Sequence, residues 1–181
     1  MSGAVPSGAF LALADLPRRD LLARMRQGRR PDPDNLAGWE YRGINTAGWA
    51  RWAGVDRFVK GFEGDYGYNR RVQRGPRTEP WLREGLPDPD PFAFFGVGPV
   101  DPTTRDNRYL DALMLDYGRF ARSPLDPAGS IRDYLVATDD GQDQLIGHAF
   151  VAAGPFRVEA TFFILEPLRQ CPVRTPAPNH S

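Results

Sequence analysis

The chain from Leu36 to Glu166 consists of short runs rich in aromatic and β-branched residues, separated by Gly, Pro, Asn and Asp. This punctuation is typical of β-strands joined by turns. Eight antiparallel strands with mostly local connections have few ways to cover their edges, and closure into an up-and-down barrel is the simplest. The sequence therefore predicts a mainly β fold, an eight-stranded antiparallel barrel. The predicted strands are approximately Gly38 to Asn45, Arg57 to Glu63, Tyr68 to Gln73, Phe92 to Val97, Tyr109 to Tyr117, Ile131 to Thr138, Gln144 to Ala152 and Phe156 to Glu166.

The connections between these runs differ in length. Asp139, Asp140 and Gly141 form a predicted tight turn, and Gly154-Pro155 closes the next pair, so the last three strands should form an antiparallel meander. Thr46 to Gly54 looks like one helical turn or a plug between the first two strands. Arg74 to Pro91 carries five prolines and is predicted to be a long irregular loop, a type that often has a functional role.

One helix is predicted ahead of the strands, from about Leu16 to Gln27, with Asp15 as N-cap and Pro17 in the first turn. Leu21, Leu22 and Met25 form an apolar stripe on this helix, which we call the helix stripe. The opposite face is basic, with Arg18, Arg19, Arg24 and Arg26. Such a helix either packs its stripe on the domain or contacts an anionic partner.

Three regions are therefore expected along the chain. Residues 1–35 form an N-terminal arm and helix, residues 36–167 the barrel domain, and residues 168–181 a disordered, proline-containing tail. Residues 1–14 are expected to be loosely held unless they dock on the domain.

Charge and cysteine content exclude several classes of protein. Lys+Arg and Asp+Glu both number 23, so the chain lacks the general attraction to nucleic acid that a basic protein has. Cys171 has no partner for an internal disulfide.

No run approaches the roughly 18 to 20 apolar residues of a transmembrane segment. No basic residue precedes Arg18, so no secretory signal is expected, and the predicted location is cytoplasmic.

Alternation suggests which side chains of the last strand face the barrel interior. Phe156, Val158, Ala160, Phe162 and Ile164 share one face and are predicted to point inward. For Gln144 to Ala152 both faces are partly apolar, and the sequence leaves the inward register open.

A Gly-Trp pair, Gly38-Trp39, opens the first strand behind a short helix and ahead of a meander. In this arrangement the chain resembles calycin-type proteins: lipocalins, fatty-acid-binding proteins, nitrobindins and bacterial lipocalin-like domains of unknown function. The blocks Lys60-Gly61-Phe62, Arg105 to Tyr109 and Arg132-Asp133-Tyr134 are similar to those of the bacterial members. The resemblance covers about residues 36 to 167 and implies a barrel with a cavity for a hydrophobic or amphipathic small molecule. Fold analogy does not identify the ligand.

Aromatic side chains are the candidates for lining such a cavity. The candidate ligand-binding residues are Trp39, Tyr41, Phe62, Tyr68, Phe94, Tyr117 and His148. The same aromatic spacing would also fill a solid core, and the two interpretations differ only in interior volume.

Metal and cofactor signals are few. His148 and His180 are the only histidines, and they lack the spacing of a metal site, so no metal is predicted. No cofactor is predicted from the residues, but the resemblance to nitrobindins implies a role for His148 as axial ligand of a haem. A mid-strand histidine is more commonly structural.

Asp116, Arg132 and Asp133 form a predicted polar cluster, to which Arg105 to Arg108 add further charges. Charges in an apolar meander must be paired or solvated, because an unpaired buried charge costs several kcal/mol. The cluster either orients a ligand or acts in acid/base catalysis, or it forms a salt-bridge network that fixes the strand register. The network is the favoured interpretation.

Three hypotheses for function follow. The first is non-enzymatic binding of a hydrophobic or amphipathic molecule in the barrel. The second is a small enzyme that uses Asp116, Asp133, Tyr134 or His148, with the Arg74 to Pro91 loop as a lid. It predicts that a carboxylate or His148 faces the cavity with a shifted pKa. The third is an interaction module that docks through the basic helix, and it predicts an exposed helix stripe.

Overall fold

A computed structural model describes residues 5–82, 85, 87–121, 123, 126–138, 144–153, 155–171 and 175–178. The helices are α1 (Gly8–Ala14), α2 (Arg18–Gln27), α3 (Pro33–Leu36) and α4 (Gly48–Ala53), with 3-10 turns at Tyr117–Phe120 and Pro127–Ser130. The strands are β1 (Trp39–Asn45), β2 (Arg57–Phe62), β3 (Tyr66–Arg71), β4 (Pro91–Pro99), β5 (Leu113–Asp116), β6 (Ile131–Ala137), β7 (Leu145–Ala153) and β8 (Phe156–Gln170).

The eight strands form a closed up-and-down barrel. Each strand pairs antiparallel with the next, and β8 closes the sheet against β1. This confirms the predicted fold class, and the pairing of β6, β7 and β8 confirms the meander. The turn predicted at Asp139, Asp140 and Gly141 lies outside the described residues, as does Gly154. β8 continues past residue 167 to Gln170, and the Thr175 N–H donates to Glu63 at 2.8 Å.

Two apolar clusters divide the core between the inside and the outside of the barrel. The interior cluster includes Tyr41, Phe62, Phe95, Leu115 and Phe163, which occupy one face of their strands. The outer cluster packs the opposite strand faces against the N-terminal helices. It includes Phe10, Leu21, Met25, Ile44, Val59, Tyr134, Phe150, Phe162 and Ile164.

A bulge in β8 changes which side chains point inward. Ala149 pairs with Thr161 but Phe150 pairs with Glu159, so Ala160 is an extra residue in β8. Beyond it, Phe163 and Leu165 join the interior cluster, whereas Phe162 and Ile164 lie outside. The inward prediction is therefore wrong for these last two residues, because one inserted residue moves every later side chain to the other face.

The N-terminal segment docks on the outer wall of the barrel. Ser7 caps α1 by accepting from the Phe10 N–H at 3.1 Å, and α2 begins at Arg18, behind Pro17 rather than Asp15. Phe10 is fully buried. Leu21 and Met25 of the helix stripe are each 1% exposed. The exposed stripe predicted for an interaction module is therefore wrong: these side chains cover the apolar outer face of the sheet instead.

The two ends of the barrel differ. At the end where β1 runs into α4, which we call the α4 end, α4 forms the helical turn predicted within Thr46 to Gly54. At the opposite end, the α3 end, Leu36 of α3 packs into the interior cluster and is 4% exposed. The interior is therefore covered by α3 at one end.

Candidate functional site

Lys60 is buried inside the barrel. It lies on β2 between Phe58 and Phe62, whose rings belong to the interior cluster, and it is 2% exposed. An ammonium group in an apolar interior requires polar partners, because desolvation otherwise costs several kcal/mol. The strands around β2 supply them.

Four polar side chains meet in the interior: Lys60, Asn69, Tyr117 and Asp133, which we call the interior polar cluster. The Lys60 ammonium donates to the Tyr117 hydroxyl at 2.8 Å and to Asp133 Oδ2 at 3.3 Å. The Tyr117 hydroxyl donates to Asp133 Oδ2 at 3.2 Å. The Asn69 amide donates to the Tyr117 oxygen at 3.1 Å and to the Ala93 carbonyl at 3.1 Å.

Aromatic rings enclose the ammonium group. Its Nζ lies 4.4 Å from the centroid of the Phe95 ring and 5.1 Å from that of Phe163. The Tyr117 and Phe58 rings are 5.3 and 5.8 Å away. The ring faces attract a cation, and a desolvated site strengthens that attraction.

Burial shifts the acid–base equilibria of the interior polar cluster towards neutral forms. It lowers the pKa of Lys60 and raises that of Asp133, and the charge of each group partly opposes the shift of the other. Burial and the nearby Asp133 carboxylate raise the pKa of Tyr117, so its hydroxyl stays protonated. The Tyr117 hydroxyl therefore remains a hydrogen-bond donor over a wide pH range.

The structure divides the predicted ligand-binding residues between the two faces of the barrel. Tyr41, Phe62 and Tyr117 belong to the interior cluster, and Trp39 packs against it. Tyr68, Phe94 and His148 lie on outward positions of their strands. The Phe94 ring contacts the Tyr68 ring there, with centroids 6.1 Å apart.

Tyr68 serves a separate polar cluster on the outer face. Its hydroxyl donates to Glu40 Oε1 at 2.9 Å, and its ring crosses the β2 backbone at Gly61 to reach that carboxylate. Arg70 and Arg169 each donate to Glu40 at 2.8 Å. Glu40 is fully buried but well supplied with donors, which is what a buried carboxylate requires.

His148 lies between the barrel wall and the N-terminal helices. Its Nδ1 hydrogen-bonds with the Tyr109 hydroxyl at 2.8 Å, and its Nε2 is 3.3 Å from Glu159 Oε2. Its ring stacks on Phe162 with centroids 3.8 Å apart. Burial lowers the pKa of His148 to about 4. Both nitrogens face protein groups and one ring face is covered, so these residues do not fit an axial haem ligand.

The structure separates the three residues of the predicted polar cluster. Asp133 points into the barrel, whereas Asp116 and Arg132 lie on the outer face and pair at 2.8 Å. Asp116 also accepts from the Gly118 N–H at 2.7 Å and so caps the following 3-10 turn. Arg132 reaches Asp106 at 3.2 Å.

The segment predicted as a lid is attached to the outer wall. The Trp81 indole donates to the Gly43 carbonyl at 3.3 Å, and its ring packs edge-on against Phe10. The Arg57 guanidinium lies 4.2 Å from the Trp81 ring centroid and donates to the Pro76 and Pro80 carbonyls. The described residues from Pro76 to Trp81 therefore do not lie over the barrel interior.

Sequence reasoning missed two members of the interior polar cluster, Lys60 and Asn69. A signal for the first was present: Lys60 is the only lysine of the chain and alternates with Phe58 and Phe62 on β2. A charge at an inward position of an apolar strand indicates a buried polar partner. No comparable pattern marks Asn69.

Comparisons of the chain with known protein families, curated proteins and solved structures find no match. The eight-stranded antiparallel barrel is compatible with a lipocalin-like fold. In the described part of the chain, no helix is long and apolar enough to cross a membrane.

Proposed function

We propose that this protein binds a small apolar molecule carrying an oxygen acceptor, in the half of the barrel next to the α4 end. The observation that carries the proposal is the interior polar cluster, which gathers hydrogen-bond donors in an aromatic interior. The molecule would place its oxygen towards Lys60 and its apolar part against the surrounding rings.

The donor count of Lys60 supports this proposal. An ammonium group has three N–H donors, and the described residues give it two oxygen acceptors, on Tyr117 and Asp133. A ligand carbonyl, carboxylate or hydroxyl would provide a third acceptor. A charge-assisted hydrogen bond in a desolvated site contributes more than one in water.

The burial of the interior side chains indicates where a ligand would enter. On the α3 side of the interior polar cluster, Leu113, Leu135 and Leu165 are fully buried. Partly buried members of the interior cluster occur at both ends, Phe58 and Ile131 at the α4 end and Trp39 and Ala137 at the α3 end. At the α4 end, however, the paired inward positions Val151 and Val158 are 36% and 55% exposed. The α4 end is therefore the more open end of the barrel.

Displacement of a fluorescent apolar dye tests the proposal. We expect decanoate and decanol to displace 1-anilinonaphthalene-8-sulfonate from the protein, and decane to displace it less. Tyr117→Phe removes the hydroxyl that accepts from Lys60 and so positions the ammonium group towards the ligand. It should weaken decanoate binding roughly tenfold, the size of effect expected for one lost hydrogen bond.

Tyr66→Phe is the matched control, because it removes a hydroxyl that donates to the Thr175 carbonyl away from the interior. Its decanoate affinity should equal that of the unmodified protein. No displacement by any of the three probes, or equal affinities for Tyr117→Phe and the control, would overturn the proposal.

Acid/base catalysis is a second candidate, favoured by one observation. The Asp133 carboxyl points into the barrel, burial raises its pKa, and it lies beside the Tyr117 hydroxyl. Mass spectrometry of the bound molecule before and after incubation tests it. Catalysis requires a chemical change that Asp133→Asn abolishes, whereas a binding protein returns its ligand unchanged.

A further inference from the structure

Exposed apolar side chains are concentrated at the α4 end. Among the described residues, seven of the nine large apolar side chains that stand exposed lie there. They are Trp49, Trp52, Val55, Phe92, Val151, Phe156 and Val158. Trp52 is 88% exposed and Phe156 is 70% exposed. A contiguous exposed apolar surface usually marks an interaction site, and scattered single residues do not.

These side chains surround the barrel mouth, and we call them the mouth rim. Trp49 and Trp52 lie on α4, where the Trp49 indole donates to the Ala160 carbonyl of β8 at 3.2 Å. Val151 pairs with Val158 at the far end of the β7–β8 hairpin. This hairpin extends beyond β1, whose last residue pairs with Phe163.

Exposed arginines accompany the mouth rim. Arg51 lies on α4 between the two tryptophans. The Arg71 guanidinium is 5.1 Å from the Phe92 ring centroid, and the Arg74 guanidinium lies against Gly54 at the end of α4. The acidic side chains nearest in the chain to the rim residues are Asp56, Asp90 and Glu159, and Glu159 is paired with Arg18 of α2. Arg51 and Arg74 therefore place positive charge beside the two exposed tryptophans.

We propose that the mouth rim docks on the surface of an anionic lipid bilayer. Tryptophan favours the interface between lipid and water, because its ring is apolar and its N–H is polar. Arginines beside inserted apolar side chains add electrostatic attraction to anionic headgroups. The surface also encloses the more open end of the barrel, so docking would put that mouth against the lipid. Docking goes beyond the ligand-binding proposal and does not require it.

Vesicle co-sedimentation tests the docking. Vesicles of phosphatidylcholine with phosphatidylglycerol should bind the full chain, and vesicles of phosphatidylcholine alone should bind it more weakly. The double substitution Trp52→Ser with Phe156→Ser should reduce binding on the order of a hundredfold, because it removes the two most exposed aromatic side chains of the rim from contact with lipid. Arg51→Glu should weaken binding to the anionic vesicles at least fivefold, and high salt should reduce that difference.

Leu110→Ser is the matched control, because Leu110 is 54% exposed and follows β4 at the other end of the barrel. The control should bind vesicles like the unmodified protein. No vesicle binding, or an equal loss in the control, would overturn the docking proposal. So would the finding that the rim joins two copies of the chain, which light scattering would detect as a dimer lost in the double variant.

Dye displacement by decanoate without vesicles separates this proposal from the ligand-binding one. The double rim variant should retain decanoate binding while it loses vesicle binding. Tyr117→Phe should show the opposite pattern: it should lose decanoate binding and keep vesicle binding.

Discussion

The ring of Phe163 lies over Gly147, its direct partner on the neighbouring strand. A β-carbon built on Gly147 would be 1.9 Å from the Phe163 Cζ. The same arrangement joins Phe58 to Gly43 and Phe95 to Gly67. Glycine on one strand and an aromatic ring on the next let large side chains lie flat inside a narrow barrel.

Gly147→Ala should therefore destabilise the barrel. The added methyl overlaps the Phe163 ring, and overpacking of this kind costs about 1–3 kcal/mol or more. Urea unfolding followed by circular dichroism measures the loss. Gly98→Ala is the control, because no atom lies within 4 Å of its β-carbon position. Its free energy of unfolding should change by less than about 0.5 kcal/mol, and an equal loss in both variants would contradict the explanation.

Lys60→Met and Asp133→Leu should each destabilise the fold by about 3 kcal/mol or more, because each leaves a buried polar partner without its counterpart. The double substitution should cost much less than the sum, since it removes both groups from the apolar interior. Chemical unfolding of the four proteins completes the cycle. Additivity to within about 0.5 kcal/mol would show that the two groups do not stabilise each other.

His148 should make stability depend on pH. Burial lowers its pKa to about 4 in the folded protein, against about 6.5 when exposed. The unfolded chain therefore binds more protons between these values, so the free energy of unfolding falls as the pH drops from about 6.5 to about 4. The expected loss is on the order of 2 kcal/mol.

Thermal unfolding across this pH range tests the assignment. His148→Gln should flatten the dependence by removing the titrating group. His180→Gln removes the only other histidine of the chain and should leave it unchanged. If the stability of His148→Gln still fell between pH 6.5 and pH 4, other titrating groups would be responsible for the pH dependence.

Met25→Ala should destabilise the protein by about 2–5 kcal/mol, because it opens a cavity between α2 and the barrel wall. Leu110→Ala, at an exposed position, should cost less than about 0.5 kcal/mol. Guanidinium unfolding monitored by tryptophan fluorescence compares the two. A small effect of Met25→Ala would mean that α2 contributes little to the fold.

The sequence alone was enough to predict the number and order of the strands, because aromatic and β-branched runs and the Gly, Pro and Asn between them are local signals. It also located α4 and the end of α2, where Gly28 follows the last helical residue. Local patterns were enough to predict an antiparallel barrel.

Which side chains meet depends on how the strands pair. The Ala160 bulge appears only when β8 is paired with β7, and it reverses the inward face of β8 for Phe162 and Ile164. The outward orientation of His148 and Tyr68 also depends on the register of the neighbouring strands, which the sequence left open.

The sequence marked single members of the interior polar cluster but not their meeting. The residues of the cluster come from separate strands and a turn, from Lys60 to Asp133, and only closure of the barrel brings them within hydrogen-bond distance. Local propensities are encoded residue by residue, but a contact across a closed sheet depends on the register of every strand between its partners.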